Sequence, residues 1–301
     1  MPPEGGHRCG FVAVVGRPNV GKSTLVNALV GRKVSIVSRR PQTTRQRVTG
    51  VASGEASQVL FVDTPGLHRM ERRALNRAMN RAALSSLADA DLVLMVVEAG
   101  RWTEEDDDVL ARVQERGRKI VLVVNKVDRV WPKERLLPYI EAVAQHGQFE
   151  AIVPVSAERG SNLDRLQSLV EAAMPEGPAL YPEDQFSDRD EHFHAAEIIR
   201  EKLMRRLHEE LPYGLTVQIE RMAPDDQGRL GISAIVWVER ENHKPIVIGK
   251  GGEMLKSVGR AARLELKERY GRSVHLELWV KVREGWSDRD EELRRLGFDS
   301  D

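Results

Sequence analysis

Short unbroken apolar runs recur through the first half of the chain: FVAVVG (11–16), VLFVD (59–63), LVLMVVE (92–98), KIVLVVN (119–125) and AIVPVS (151–156). Runs this short, rich in β-branched residues and without alternation, predict strands buried on both faces, as a parallel sheet requires. VTGVAS (48–53) predicts one more strand. Between them, apolar residues return at helical spacing and predict helices over 23–30, 70–88, 103–116, 133–146 and 162–173. Strand and helix in alternation predict a doubly wound α/β domain over 1–175.

The pattern breaks at MPEGPALYPEDQFSD (174–188), where three prolines and little periodicity predict a linker over 176–188. An amphipathic stretch then predicts a helix over 189–210, ending before Pro212. LTVQIE (215–220) and RLGISAIVWVE (229–239) alternate apolar with polar and predict half-exposed strands. The run Ile246–Ile248 reads as a strand end, leading through a glycine loop into a helix that lasts to about Tyr270. VHLELWVKV (274–282) places Val274, Leu276, Leu278, Val280 and Val282 on one face. These elements predict a separate α+β module over 189–301, with a C-terminal extension.

Composition narrows the setting. The 301 residues are 41% apolar and 31% charged, enough for two domains with real cores. Lys and Arg number 46 against 46 Asp and Glu, so no whole-chain field attracts polyanions and any basic surface is local. A single cysteine, Cys9, excludes an internal disulfide and reads as a packed side chain. MPPEGGHRCG has no apolar signal region, and no apolar run approaches the about 18 residues that span a bilayer. A cytoplasmic setting is therefore expected. His192 and His194, two apart, are poorly spaced for a metal, and the five tryptophans are expected to pack by default, with Trp279, which shares a face with His275 and Lys281, left open.

Candidate chemistry begins at GRPNVGKST (16–24), which fits G-x-x-x-x-G-K-[ST] between a strand and a helix. Backbone N–H groups from Gly16, Asn19, Val20, Gly21, Lys22, Ser23 and Thr24 suit phosphate oxygens at a helix N-terminus. Lys22 is expected at the β- and γ-phosphates and Ser23 on Mg²⁺. DTPG (63–66) adds Asp63 as a Mg²⁺ carboxylate and Gly66 as a close N–H. NKVD (125–128) reads the base: Asp128 accepts from two guanine donors, Asn125 meets the N7/O6 side, and the Lys126 stem covers the ring. In SAERG (156–160), Ser156 and Ala157 complete that site, with the Ala157 N–H toward O6. Adenine has no such donor pair, so the reading excludes it.

Taken in order, these motifs resemble the Ras-like translation-factor class of GTPases. The resemblance implies that a threonine of PQTTRQ (41–46) closes the Mg²⁺ shell in the GTP state, with Thr44 chosen over Thr43. It also makes 33–50 and 64–80 the switch segments. One departure stands out: Leu67 follows DTPG where that class orients water with glutamine. In related GTPases a phosphate-loop asparagine supports a bound K⁺, a role that here falls to Asn19. Lys22, Thr44 and Asn19 are thus the expected catalytic residues.

IGKGGEMLK (248–256) looks similar but lacks G-K-[ST] and any base-reading partner. It fits G-x-x-G, the loop with which KH modules clamp single-stranded RNA, and the preceding α-β-β order resembles the type II arrangement. Ile248, Gly249, Lys250, Gly251, Gly252 and Lys256 are the expected RNA contacts. Ile248 and Met254 read either as a floor for bases or as core. From Arg240 to Arg283 eleven Lys and Arg face five Glu, a net +6, the local footprint nucleic acid needs.

A P-loop GTPase joined to a C-terminal KH module resembles a family of bacterial ribosome-assembly GTPases. That resemblance implies GTP and GDP as ligands, single-stranded RNA near the 3′ end of 16S ribosomal RNA, and the 30S subunit as destination. It also implies a monomer and a peripheral contact with the inner membrane face. Two other readings suit the same motifs: an RNA-binding scaffold that needs GTP bound but not hydrolysed, and a membrane-associated signalling GTPase.

Overall fold

The structure, a computed structural model, describes residues 6–38, 40, 42–66, 73–207 and 211–298, the side chains of 212 and 213 apart. Leu67 and the start of the helix expected over 70–88 lie outside the described residues, as does the end of the 189–210 stretch. Contacts divide the chain into two compact units, Met1–Glu71 with Asn76–Asp188, and Arg189–Asp301 with Arg72–Leu75.

In the first unit the apolar runs become strands β1 (Arg8–Val15), β2 (Val48–Ser53), β3 (Ser57–Asp63), β4 (Leu92–Glu98), β5 (Ile120–Asn125) and β6 (Ala151–Pro154). They form one sheet in the order β2-β3-β1-β4-β5-β6, parallel throughout except for β2, which pairs antiparallel with β3 at one edge. Helices α1 (Lys22–Val30), α2 (Ala74–Ala88), α3 (Glu104–Gln114) and α4 (Leu136–Val143) lie between strands, and α5 (Leu163–Ala173) follows β6. Val12–Val15 and Val93–Val97 are wholly buried, which is why these strands read as continuous apolar runs. Register then gathers distant motifs. Val14 sits opposite Asp63 and Glu98 opposite Asn125, so the strands deliver their last residues to one rim, where α/β sheets bind ligands.

Two expectations need correction here. The helix expected over 133–146 is three pieces, 3-10 turns at Lys133–Arg135 and Ala144–His146 around α4. Pro138 lies in the first turn of α4, where a missing N–H costs nothing. The 176–188 segment is no free linker. Gly177 exchanges hydrogen bonds with His7, and Gln58 accepts from the Leu180 and Tyr181 N–H groups and donates to the Tyr181 carbonyl. Further on, Val51 N donates to Phe186 O, and Asp188 N to Thr49 O. Antiparallel β2 has an unpaired side, and this segment fills it.

The second unit holds α6 (Glu191–Arg206), β7 (Leu215–Pro224), β8 (Leu230–Val238), α7 (His243–Ile248), α8 (Glu253–Tyr270), β9 (Val274–Val282) and α9 (Asp290–Arg295). Asp190 caps α6 by accepting from Phe193 N at 2.8 Å. The sheet order is β7-β8-β9, antiparallel and then parallel. Ile198, Ile199 and Leu203 of α6 and Val258, Ala262 and Leu266 of α8 join Ile232, Ala234 and Val236 in one core. Ile246–Ile248 ends helix α7 rather than a strand; three apolar residues are too few to show a period. The tryptophans also divide. Trp286 is fully buried and stacks on Phe298, whereas Trp131 and Trp279 stand 80% and 57% exposed.

Candidate functional site

The turn after β1 is shaped by glycines that no other residue replaces easily. Gly16 (φ 151) carries no Cβ because one would strike the Val96 carbonyl, and Gly21 (φ 102) adopts a backbone that side chains disfavour. Between them Asn19 also takes a left-handed conformation, φ 65, with its side chain exposed. Lys22, only 7% exposed, turns back over the loop, and its Nζ donates to the carbonyls of Gly16 (2.9 Å) and Arg17 (3.0 Å). Burial pushes its pKa down to about 8, with the nearby Asp63 charge opposing.

Ser23 Oγ lies 2.8 Å from Thr44 Oγ1, which in turn donates to Asp63 Oδ2 at 3.3 Å. Thr43 points elsewhere and donates to Arg40 O. Asp63 is completely buried, and burial raises its pKa despite the charge of Lys22. Among the described residues its Oδ1 has no hydrogen-bond partner. An anionic oxygen left orphaned beside two hydroxyls is a donor set for a hard divalent cation, so Mg²⁺ fits these residues. Gly66 backs onto Pro18, 3.0 Å from where a Cβ would be. Asn27 of α1 was missed in the sequence: its side chain binds Val34 N, Ser35 N and Ser35 O, pinning the segment that leads to Thr44.

On the neighbouring strand ends, Asn125 Nδ2 donates to Val20 O at 2.9 Å and Asn125 Oδ1 accepts from Ala157 N at 3.0 Å. Both groups expected to face a base are thus engaged in stapling the phosphate loop to the 156–160 turn. Ser156 Oγ donates to Asp128 Oδ1 at 2.6 Å, and Arg159 stands 3.9 Å from Oδ2. Burial alone would raise the Asp128 pKa, but these partners hold it below the usual carboxylate range. Lys126 (φ 66) reaches back to the Asn19 carbonyl at 2.6 Å.

In the second unit Gly249 (φ 76), Gly251 (φ 61) and Gly252 (φ 80) all take backbone conformations that favour glycine. A Cβ on Gly249 would collide with Met254, while Gly251 faces open space and Lys250 is exposed. Ile248 and Met254 pack against the core, and Ile246 is 54% exposed beside the loop. From the loop, Lys256, Arg260, Arg263 and Lys267 run along α8 at spacings of three and four, all exposed. They form a basic stripe about 16 Å long. Of the acids of α8, Glu265 pairs with Lys202 of α6 and Glu268 lies to one side, while Glu253, three residues before Lys256, borders the stripe at its loop end.

Comparisons with known proteins follow this division. Residues 11–126 match a family described as 50S ribosome-binding GTPase, and 210–287 match the KH domain family. GTPase Era of Stenotrophomonas maltophilia (strain K279a) is 51% identical over 299 residues, covering 99% of this chain and 100% of the relative. GTPase Era of Xanthomonas campestris pv. campestris (strain B100) is 53% identical over 293 residues, covering 97% and 98%. Among solved structures, a point variant of Aquifex aeolicus Era bound to GDP and aluminium fluoride superposes with TM-score 0.94 at 41% identity, covering 97% and 100%. Era in complex with MgGDPNP and nucleotides 1506–1542 of 16S ribosomal RNA superposes with TM-score 0.94 at 40% identity, covering 98% and 100%.

Proposed function

This chain belongs to the Era family of GTPases, and from that premise we propose a switch whose nucleotide state alters how its KH unit grips the 3′ region of 16S ribosomal RNA during 30S subunit assembly. GTP hydrolysis to GDP and phosphate is the reaction of the first unit. The RNA role rests on one observation above all: three positive-φ glycines open onto the basic stripe of α8. Backbone N–H groups free of side chains approach phosphates closely, and the stripe continues the attraction along the strand.

Within the first unit, the amides of Gly16, Asn19, Val20, Gly21, Lys22, Ser23 and Thr24 hold the phosphates, and Lys22 neutralises the β- and γ-oxygens. Ser23, Thr44 and Asp63 would hold Mg²⁺, which supplies charge to offset that building on the phosphates. Asn125, Lys126, Asp128, Ser156 and Ala157 read guanine. Catalysis then rests on positioning rather than on a side-chain base. K⁺ beside Asn19, whose side chain stands exposed at the mouth of the loop, would supplement it. Among the described residues no helix is long and apolar enough to cross a membrane.

RNA affinity of the full chain with a GTP analogue, with GDP and without nucleotide tests the switch, which predicts unequal values. Hydrolysis in KCl and NaCl at equal ionic strength tests the cation. Equal rates remove K⁺ from the account.

A further inference from the structure

The end of β4 carries a carboxylate that no motif points to. Glu98 Oε1 lies 2.9 Å from Lys126 Nζ, and Glu98 Oε2 lies 3.2 Å from the Arg17 guanidinium. Arg17, only 8% exposed, is locked a second time by Asp106, whose fully buried Oδ2 accepts from Arg17 Nε at 3.2 Å. Asp106 is itself fixed in the capping box of α3, accepting from Thr103 N and Oγ1 at 2.9 Å each. The two cations that meet on Glu98 each hold the phosphate loop. Arg17 gives its carbonyl to Lys22, and Lys126 Nζ donates to the carbonyl of left-handed Asn19.

We propose that Glu98 is a positioning residue for nucleotide binding, tying the guanine-side lysine and both shoulders of the phosphate loop into one rigid piece. Ion pairs this enclosed add little net stability, because desolvation offsets their attraction. What they fix is placement. A loop holding Asn19 at φ 65 and a lysine at φ 66 is strained in two places, and Glu98 is the group that both strained segments share. Burial alone would raise the Glu98 pKa, but hydrogen bonds and charge from Lys126 and Arg17 hold it low, so the bridge stays ionised at neutral pH. Binding energy that would go into ordering Lys126 and the loop is saved for the ligand.

This rests on the reading of the rim as a guanine-nucleotide site, and calorimetric titration of the full chain with GDP and a GTP analogue separates the two. Glu98→Gln keeps the shape but aims an amide N–H at one of the cations. It is expected to weaken both nucleotides equally, by about tenfold, while kcat at saturation changes less than about threefold, the pattern of lost uniform binding. In a Lys126→Ala background the same change is expected to weaken binding by less than about threefold more, because of the two cations Glu98 joins only Arg17 remains, and Asp106 still holds that one. Glu98→Asp keeps the charge but is too short to reach both cations, and gives the same loss should the Gln variant fail to fold. Unaltered affinity in both variants overturns the proposal, and so do penalties that multiply in the double variant. An unaltered chain that binds no GDP overturns the nucleotide reading itself.

Discussion

Thr44 Oγ1 and Ser23 Oγ meet at 2.8 Å although one lies in an irregular segment and the other in the first turn of α1. The pair, with Asp63, draws the 33–50 segment onto the phosphate loop. Thr44→Val is therefore expected to slow single-turnover GTP hydrolysis by at least about tenfold while leaving GDP affinity within about twofold. Thr43→Val, whose hydroxyl donates to Arg40 O away from Ser23 and Asp63, should change neither by more than about twofold. A greater effect at Thr43 would reverse the assignment.

Lys22 is a cation held almost without solvent, where burial and the Arg17 charge outweigh the backbone carbonyls and the charges of Asp63 and Asp106. Lys22→Met is expected to abolish nucleotide binding and yet to stabilise the nucleotide-free chain at pH 7, by on the order of 1–3 kcal/mol. Calorimetric melting without ligand checks it. A lower melting temperature for the variant contradicts the burial argument.

Gly252 (φ 80) has room for a side chain, its nearest neighbour being Lys256 Cε at 3.9 Å. Gly252→Ala meets only backbone strain, about 1 kcal/mol. Gly252→Asp adds a carboxylate where RNA phosphates would pass. RNA affinity by fluorescence anisotropy is expected to drop by about tenfold or more in the Asp variant, with GTP hydrolysis unchanged within about twofold. Intact RNA affinity in that variant removes this loop from the interface.

Much of the nucleotide site was legible because its chemistry is written in contiguous residues. GRPNVGKS, DTPG and NKVD each end a strand, and parallel register brings strand ends together whatever their spacing. Arg17, Glu98 and Asp106 were not legible, since an ion pair between a loop, a strand end and a helix cap leaves no local pattern. Asn27 hid for the same reason, an ordinary polar residue whose partners lie on a later loop. Prolines near 175–182 and the lack of periodicity read as a linker, because periodicity does not reveal an unpaired strand edge. Exposure of Trp131 was equally invisible; tryptophan is buried on average, and only the fold says where it is not.

His194 on α6 is nearly inaccessible, and its pKa falls to about 4, chiefly through burial and then through the Arg269 charge. The unfolded chain protonates it near 6.5. Between those values the unfolded state binds more protons, so stability rises with pH across this window and is lost on acidification. Lowering pH from 6.5 to 4.5 should destabilise the second unit, this residue contributing at most roughly 3 kcal/mol. Urea midpoints followed by tryptophan fluorescence measure it, and His194→Gln should flatten the slope. An unchanged slope assigns the acid sensitivity elsewhere.

The last residues of the 177–188 strap, Phe186 to Asp188, lie along β2 and take up hydrogen bonds that this strand would otherwise offer to solvent. Cutting the chain after Pro175 would strip it away and bare a ready template for self-association. Cutting after Asp188 would leave the template covered. A fragment 1–175 is thus expected to scatter light and precipitate where 1–188 stays monodisperse, and the natural place to dissect this protein falls a dozen or so residues later than its prolines suggest.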